Sequence, residues 1–387
     1  MKKWFGSLLF ATMIAGGLSG CSSEEDSVVM APVPDVQSQF QPETDWSASV
    51  GHGVEHYFSR LRPHSAYGKI FVASRDGIVK ALDPTTGKTL WEKDLGDEEQ
   101  TFLSGGISTG LNQLYIGSET GILYAMDAET GELKWKQDVS GEILAAPVTE
   151  SDLVIIHTSE GNLIALEQKT GKQQWTISTE VPNLTLRGDS TPVTVSGGIF
   201  WGTANGRLAA AIASSGQMIW QQSIGTPKGA TEIDRLIDVD SSPLVIGSTL
   251  YTVGYNGKLV AIDLRSGKPL WKRNYSSATN IATDGGKIFV VTDQDYLTAV
   301  DARSGTEIWT NRQLENRLVT EPVIIHNYVV VGDSEGYLYW IDRNTGEFVS
   351  EQHVSSSGFA VAPIVLSDGG YLVMTRDGDV KKLTINQ

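Results

Sequence analysis

A single cysteine stands near the start of the 387-residue chain, and its setting decides what its thiol could do. Cys21 follows an apolar run, Trp4 to Leu18, which Lys2 and Lys3 precede. A basic start, a short apolar stretch and small residues before a cleavage point are typical of a secretory signal peptide. The run is shorter than the roughly 20 apolar residues that span a bilayer, which makes an uncleaved anchor helix the weaker alternative. We therefore expect residues 1–20 to be removed and Cys21, which has no disulfide partner, to be chemically modified.

The residues around the cleavage point indicate what that modification is. Leu18-Ser-Gly-Cys21 resembles the lipobox of bacterial lipoproteins, which implies that Cys21 is lipidated and becomes the first residue of the mature chain. Several acyl chains on one residue anchor a protein stably, whereas a single chain holds it only marginally. Ser22, and not Asp, follows Cys21. The resemblance therefore also implies a lipid anchor in the cell outer membrane, with the folded part facing the periplasm.

The other residue types that commonly carry chemistry form no catalytic or metal-binding motif. His52, His56 and His64 are close in sequence but lack cysteine partners and the spacing of metal ligands. Gly51-His-Gly53 lacks the third glycine of a dinucleotide-binding loop, and neither a P-loop nor a Gly-x-Ser-x-Gly motif occurs. We therefore expect no catalytic residue, no metal site and no cofactor.

Charge limits the partners of the mature chain. The full chain has 30 Lys and Arg against 46 Asp and Glu, a formal charge of −16, and loss of Lys2 and Lys3 with the signal makes it −18. Nucleic acids and anionic lipid surfaces bind basic patches, so we expect no nucleic-acid partner and no broad contact with anionic lipid.

A segment of unusual composition follows the cysteine. Residues 22–44 contain three prolines and neither Lys nor Arg. Such a composition does not form a packed core. We therefore expect residues 21–44 to be a flexible tether. It would reach about 25–30 Å on average and about 80 Å when stretched.

The rest of the chain is built from one repeated phrase. It consists of an Asp that ends a strand, an x-x-Thr-Gly turn and then Trp, as in Asp83…Gly87…Trp91. The equivalent glycines follow one another at intervals of 44, 40, 45, 51, 38 and 41 residues. Repeats of this length with strand-like content are typical of β-propeller blades. Each repeat predicts four strands, A to D, of which A follows a proline, C ends in Asp and D carries Trp.

Seven repeats are complete, and an eighth is divided between the chain ends. After Pro363 the chain has three strand-like segments and ends before any Trp, whereas Trp46 lies 45 residues before Trp91. Pairing of the two ends would close the ring and remove its exposed sheet edges. The sequence therefore predicts an all-β fold, an eight-bladed β-propeller of four-stranded antiparallel blades over residues 45–387. Seven of the ten tryptophans share one register, which predicts packing between blades and not ligand binding.

The phrase Ala-Leu-Asp-x-x-Thr-Gly-x-x-x-Trp resembles the repeat of pyrroloquinoline-quinone (PQQ) dehydrogenases over nearly the whole mature chain. Those enzymes hold a quinone and Ca²⁺ on the propeller axis, commonly beside a disulfide of adjacent cysteines, and the resemblance implies the same site here. This chain has one Cys and lacks the insertions of those longer enzymes, and a shared fold does not carry function. A PQQ-dependent oxidoreductase therefore stays an alternative, as does a periplasmic propeller that binds glycans or peptides on its axis.

A more specific resemblance is to the propeller lipoproteins of the outer-membrane β-barrel assembly (Bam) complex. It rests on the lipobox, the acidic tether, the Trp46-Ser-x-Ser-Val-Gly51 phrase, the eight blades and two loops, Leu184-Thr-Leu186-Arg187-Gly188 and Glu232 to Asp240. In that family these loops bind the POTRA domains of BamA, the central barrel. The resemblance implies a non-enzymatic scaffold that assists folding and insertion of outer-membrane proteins. Unfolded outer-membrane β-barrel substrates are a further candidate partner.

The residues of these two loops independently indicate one shared surface. Both loops are D→A connections of successive blades, and Arg187 and Asp238 each stand five residues before the proline of the next blade. Leu184 and Leu186 alternate with polar residues and predict an exposed apolar ridge. We predict that the partner-binding residues are Leu184, Leu186, Arg187, Asp238 and Asp240. A salt bridge from Arg187 to Asp238 or Asp240 across the two blades is an equally good interpretation of that arginine.

Overall fold

The computed structural model describes residues 28–96, 101–227 and 229–385. These residues form eight four-stranded antiparallel sheets, each ordered A, B, C, D, and the D strand of the eighth is the first strand of the chain. The prediction of an all-β, eight-bladed propeller is confirmed. Within the described ranges, no helix is long and apolar enough to cross a membrane.

The strands are numbered β1 to β32 along the chain, and blades 1 to 8 begin at successive A strands. The A strands are β2 His64–Ala66, β6 Leu103–Gly110, β10 Val148–Glu150, β14 Val193–Val195, β18 Leu244–Ile246, β22 Ala282–Thr283, β26 Val323–Ile325 and β30 Ile364–Val365. The B strands are β3 Lys69–Ala73, β7 Gln113–Ser118, β11 Leu153–His157, β15 Gly198–Thr203, β19 Thr249–Thr252, β23 Lys287–Val291, β27 Tyr328–Gly332 and β31 Tyr371–Met374. The C strands are β4 Ile78–Leu82, β8 Ile122–Asp127, β12 Asn162–Glu167, β16 Arg207–Ile212, β20 Leu259–Asp263, β24 Leu297–Asp301, β28 Tyr337–Asp342 and β32 Asp379–Thr384. The D strands are β5 Thr89–Asp94, β9 Leu133–Asp138, β13 Gln173–Ser178, β17 Met218–Ser223, β21 Pro269–Arg273, β25 Glu307–Asn311, β29 Phe348–His353 and β1 Glu43–Ser49.

The place of a strand in its blade sets its burial. B strands are packed by neighbouring blades on both faces, so all five residues of β11 are buried. D strands form the outer rim, and β5 exposes every residue except the half-buried Trp91. Strands that are covered on both faces are expected to be apolar throughout, which is why the B and C strands lack a polar alternation.

The turn between strands C and D is built by its own side chains. In blade 1 the carboxylate of Asp83 accepts hydrogen bonds from the backbone N–H groups of Thr85, at 3.0 Å, and Thr86, at 2.7 Å. Gly87 then adopts φ +68°, a conformation that strains other residues. The same bonds from the turn amides to the aspartate recur in four further blades, at Asp127, Asp263, Asp301 and Asp342.

Each of these turns receives the tryptophan of the preceding blade. Trp46 packs on Gly87 so closely that a Cβ there would lie 2.5 Å from the indole, and its Nε1 donates to the Pro84 carbonyl at 3.1 Å. The contact repeats for Trp–Gly pairs 91–131, 135–171, 175–216, 220–267, 271–305 and 309–346. The tryptophans therefore pack between blades, as predicted, and glycine is needed because a side chain would displace the indole.

The eighth blade is shared by the two ends of the chain. Strand β1 pairs antiparallel with β32, with Trp46 opposite Lys382 and Ala48 opposite Val380. This arrangement confirms the predicted split blade. The first strand supplies both the rim of blade 8 and the tryptophan that docks on blade 1.

The junction between blades 7 and 8 uses different residues. At the position where seven other D strands carry Trp, β29 carries Ser350, and Trp340 stands opposite it on β28, where six other C strands carry Ala. The ring of Phe40 packs edge-on against Trp340, with centroids 5.8 Å apart, and against Tyr328 at 5.2 Å. Trp340 also packs edge-on against Tyr371 of blade 8, with centroids 6.5 Å apart. A residue from the start of the chain thus adds to the aromatic contacts at this junction.

Phe40 belongs to a segment that lies along blade 7, residues 29–42, which we call the N-terminal strap. The backbone N–H of Gln39 donates to the Val349 carbonyl at 3.0 Å, and Ser38 Oγ donates to the Glu351 carbonyl at 3.2 Å. The structure therefore corrects the predicted flexible tether for these residues. The strap can be ordered because Phe40 is partly buried and its polar groups find partners on the blade, whereas residues 21–27 lie outside the described residues.

A buried arginine holds the beginning of the strap. Arg317, in the connection from blade 6 to blade 7, donates to the Ala31 carbonyl at 2.7 Å. Its side chain is 2% exposed, and its guanidinium pairs with the buried Asp333 at 2.8 Å and also with Glu335. Because breaking a buried ion pair leaves an uncompensated charge, the two carboxylates hold Arg317 in place. Its bond to Ala31 therefore fixes the start of the strap.

Candidate partner-binding face

The D→A connections and the B–C turns lie on one side of the ring, the D→A face, because strand direction alternates within each blade. This face carries the two loops that the sequence singled out. Residues 179–192 join β13 to β14 and residues 224–243 join β17 to β18, with residue 228 outside the described ranges. They are successive connections, as predicted.

The apolar side chains of the two loops differ in exposure. Leu184 is 42% exposed, whereas Leu186 is partly buried. Ile233, on the second loop, is 73% exposed, and sequence reasoning missed it. The available signal was an isoleucine between Glu232 and Asp234 in the longest connection of the ring. Exposed apolar residues in adjacent loops are typical of a contact surface.

Arg187 lies between two carboxylates of blade 2 and not beside Asp238 or Asp240. Its guanidinium pairs with Glu119 at 3.1 Å and with Glu142 at 3.0 Å, and its side chain stays 45% exposed. The predicted salt bridge to Asp238 or Asp240 is therefore wrong. The physical reason is that both aspartates are buried within the connections, while Arg187 turns toward the preceding blade.

The ion pair of Arg187 continues toward blade 1. Glu119 also accepts two hydrogen bonds from Arg75, at 2.7 and 3.0 Å. The Arg75 guanidinium stacks over the ring of Tyr57 at 3.7 Å and over that of Phe102 at 4.3 Å. Charged and aromatic groups thus form one connected network on the D→A face from blade 1 to the loop between blades 3 and 4.

Three aspartates form a buried carboxyl cluster within the connections: Asp189, Asp238 and Asp240. The Asp238 carboxyl accepts a hydrogen bond from the backbone N–H of Leu186, and the Asp189 carboxyl accepts one from that of Leu144. The cluster therefore joins the connections that follow blades 2, 3 and 4. Asp238 and Asp240, predicted as partner contacts, are 2% and 4% exposed, so they support the loops from within.

Burial and mutual repulsion favour the protonated forms of these carboxyls. Loss of hydration, with a further contribution from Asp240, raises the pKa of Asp238 to about 8. The same two causes raise the pKa of Asp189 well above its usual range. Burial also raises the pKa of Asp240, against the attraction of Arg60. Because the charge of Asp240 raises the pKa of Asp238, the two carboxyls do not titrate independently.

Residues 50–63, the axial segment between β1 and β2, cross the ring at the mouth of the D→A face. Arg60 donates to the Asp240 carbonyl at 3.2 Å, and Arg62 pairs with Glu321 at 2.7 Å. Tyr57 is 39% exposed at this position. The segment therefore ties the connection after blade 4 to the one after blade 6. Sequence reasoning assigned it no role, although Arg60-Leu-Arg62 is a basic pair in an acidic chain.

The mouth of the ring does not fit a quinone with a metal ion. The cavity there has a volume of about 120 Å³, whereas cofactor pockets usually exceed about 300 Å³. The neighbouring pocket beside His52, His56 and Arg376 has about 420 Å³ but is open to solvent. Among residues 28–96, 101–227 and 229–385, no three His, Cys, Asp or Glu side chains converge as metal ligands. Cys21, the predicted lipidation site, lies outside the described residues.

Comparison with solved structures separates the fold from the function. Quinohemoprotein alcohol dehydrogenase from Comamonas testosteroni superposes with a TM-score of 0.70 at 15% identity, over 88% of this chain and 76% of the enzyme. At that identity the likeness shows the propeller fold alone.

Closer similarity is found to proteins named outer membrane protein assembly factor BamB. The family of that description matches residues 75–311 and 296–386. The relative from Vibrio cholerae is 66% identical over 100% of both chains, and that from Escherichia coli K12 is 43% identical over 95% of this chain and 96% of its own. The crystal structure of BamB from Moraxella catarrhalis has a TM-score of 0.80 at 25% identity, over 89% of this chain and 100% of that one. The chain therefore belongs to the BamB family of outer membrane protein assembly factors.

Proposed function

We propose that this chain is a non-enzymatic, lipid-anchored scaffold of outer membrane protein assembly that binds the POTRA domains of BamA within the Bam complex. End-to-end similarity to relatives named as assembly factors supports the general role. The observation that carries the binding site is the D→A face of blades 3 to 5. There Leu184 and Ile233 are exposed on adjacent connections whose backbones the carboxyl cluster joins.

The residues of this face have different roles in the proposal. Leu184, the partly buried Leu186 and Ile233 supply apolar contact. Arg187 supplies a charged group that Glu119 and Glu142 already position. Asp238 acts through the loop backbone, since its carboxyl is bonded to the Leu186 N–H and is buried. Loops that are ordered before binding lose less entropy in the complex, so such internal support favours affinity.

The leucines of the first loop provide the main test. Leu184→Ala with Leu186→Ala should weaken binding to the purified periplasmic region of BamA about 30-fold, which corresponds to about 2 kcal/mol. Isothermal titration calorimetry measures the change. The matched control is Leu133→Ala with Leu270→Ala, because these leucines are 47% and 59% exposed but lie on the outer rim. Equal losses in both pairs, or none in the first, would place the site elsewhere on the ring.

The anchor in this proposal depends on Cys21. Cys21→Ala should leave the propeller folded and shift the protein from the membrane fraction to the soluble periplasmic fraction, because stable anchoring needs the acyl chains. Mass spectrometry of the natural mature chain is the direct measurement. An N-terminus without acyl groups would contradict the lipid anchor.

The absence of enzymatic activity is proposed from the small cavity at the mouth and from the lack of converging metal ligands among the described residues. Addition of PQQ and Ca²⁺ to the purified chain should give no dye reduction above that of a heat-denatured sample. Sustained turnover with an alcohol substrate would instead favour the oxidoreductase alternative.

A further inference from the structure

Four exposed apolar side chains lie where the N-terminal strap begins, on the D→A face between blades 6 and 7. Val28 is 81% exposed, Val29 73%, Met30 37% and Leu318 67%. They are close together in the fold because Asn316, two residues before Leu318, donates from Nδ2 to the Val29 carbonyl at 3.0 Å. This apolar patch, as we name it, stands apart from the loops of blades 3 to 5.

The structure holds Leu318 in its exposed position. Its backbone has φ +52°, in the left-handed region that a leucine rarely adopts. The Asp295 carboxylate accepts hydrogen bonds from the N–H groups of Leu318, at 2.8 Å, and Val319, at 3.2 Å. The carboxylate of Asp295, in the B–C turn of blade 6, therefore keeps this backbone conformation in place.

The strap also limits the distance between the patch and the chain start. Backbone bonds begin at Val29, and Ala31 donates to the Glu315 carbonyl at 2.9 Å. Eight residue steps separate Cys21 from Val29, and a fully extended chain of that length spans at most about 30 Å. A lipidated Cys21 therefore has to lie within about 30 Å of the patch.

We propose that Val28, Val29, Met30 and Leu318 insert into the surface of the lipid bilayer, so that the sector between blades 6 and 7 faces the membrane. The inference rests on the proposed lipid anchor at Cys21. Asp293, Asp295, Glu315 and Glu335 stand in or beside the segments that carry the patch, so attraction to anionic lipid does not drive the contact. Apolar side chains beside an acylated residue add affinity by burial at the headgroup boundary.

The consequence is a fixed orientation of the propeller. The D→A face carries both the patch and the loops of blades 3 to 5, which are on different sectors of the same ring. With one sector against the bilayer, the loops of blades 3 to 5 would keep a constant position relative to the membrane. A partner that is itself held in the same membrane would then meet the loops in one defined geometry.

The test uses the full lipoprotein in vesicles of phosphatidylethanolamine and phosphatidylglycerol with brominated acyl chains. Leu318→Cys is labelled with an environment-sensitive fluorophore. The label attaches only to position 318, because acylation blocks the thiol of Cys21. Leu133→Cys, on the outer rim of blade 2, is the matched control. We expect bromine to quench the label at position 318 by about twofold or more, with no quenching at position 133. Added Val28→Ser, Val29→Ser and Met30→Ser changes should abolish the quenching while the protein still floats with the vesicles.

Each other outcome rejects the inference in a distinct way. Flotation without quenching at position 318, or with equal quenching at both positions, overturns the patch and leaves the lipid anchor intact. Protection of the label only after other members of the complex are added would make the patch a protein contact. Loss of flotation by the otherwise natural lipoprotein would overturn the anchor and this inference with it.

Discussion

The tryptophan junctions and the carboxyl cluster are both buried, but burial favours folding at the junctions and opposes it at the cluster. At a junction an indole packs on a glycine and its Nε1 donates to a carbonyl, as Trp91 does to Ala128 at 3.2 Å. In the cluster, three carboxyls are removed from water and their pKa values rise. The junction stabilises the ring wherever it recurs. The cluster lies under the exposed loops and lowers the stability of the folded chain when its carboxyls are ionised. The contrast separates the residues that hold the ring together from those that support the proposed binding loops.

The largest expected effect is loss of a junction. Trp46→Ala should lower the free energy of unfolding by about 3–5 kcal/mol, because it removes a buried aromatic side chain and weakens the closure of blade 8. Urea unfolding followed by circular dichroism measures the change. Leu90→Ala is the control, since Leu90 is 50% exposed on the rim and should alter stability by less than about 0.5 kcal/mol. Equal stability of Trp46→Ala and the natural chain would contradict the role of the split blade.

The second effect has the opposite sign. Folded Asp238 keeps its proton up to about pH 8, whereas the unfolded carboxyl loses it near pH 3.8. The unfolding free energy should therefore fall as pH rises from about 4 to about 8, because over this range the folded carboxyl keeps a proton that the unfolded one has lost. Asp238→Asn keeps an acceptor for the Leu186 N–H and should flatten this dependence and raise the melting temperature at pH 8.

The comparison sharpens if both substitutions are followed over the same pH range. Trp46→Ala should displace the whole stability curve and leave its slope unchanged, because the indole does not titrate. A natural chain whose stability is constant from pH 4 to pH 8 would show that the cluster stays ionised in the folded protein.

The smallest effect should come from the junction that breaks the repeat. Phe40→Ala should cost about 1–2 kcal/mol, less than Trp46→Ala, because Phe40 is only partly buried and Trp340 remains in place. Differential scanning calorimetry can compare the two variants. A loss as large as that of Trp46→Ala would mean that the strap is as essential to closure as β1.

The propeller could be predicted because its signals are local and repeat. The Asp83 turn, Gly87 and Trp91 recur with the same spacing, so one repeat predicts the contacts of the others. The strap gave no such signal, since its partners are far away in sequence: Ser38 bonds to a residue 313 positions later. A polar, proline-containing segment looks the same whether it is free or bound to a distant blade.

For the candidate site, the sequence could predict only which two connections lie next to each other. Loop length and the paired positions of Arg187 and Asp238 indicated two successive connections of the D→A face, and the structure has them there. They did not indicate that Arg187 faces Glu119 and Glu142 while Asp238 is buried. In a chain with 46 acidic residues, sequence alone does not distinguish a buried carboxyl from a solvated one. Direction of a loop side chain depends on backbone conformation, which no repeat dictates there.

The strap also determines how the ring responds to mechanical load. A pull on the N-terminal end reaches Val29 first, where it is resisted by Asn316 and then by Arg317 at Ala31. Only after these contacts yield does the force reach β1, the strand that closes blade 8. The strap contacts therefore protect the ring closure, because blades 6 and 7 bear the tension before it can separate β1 from β32.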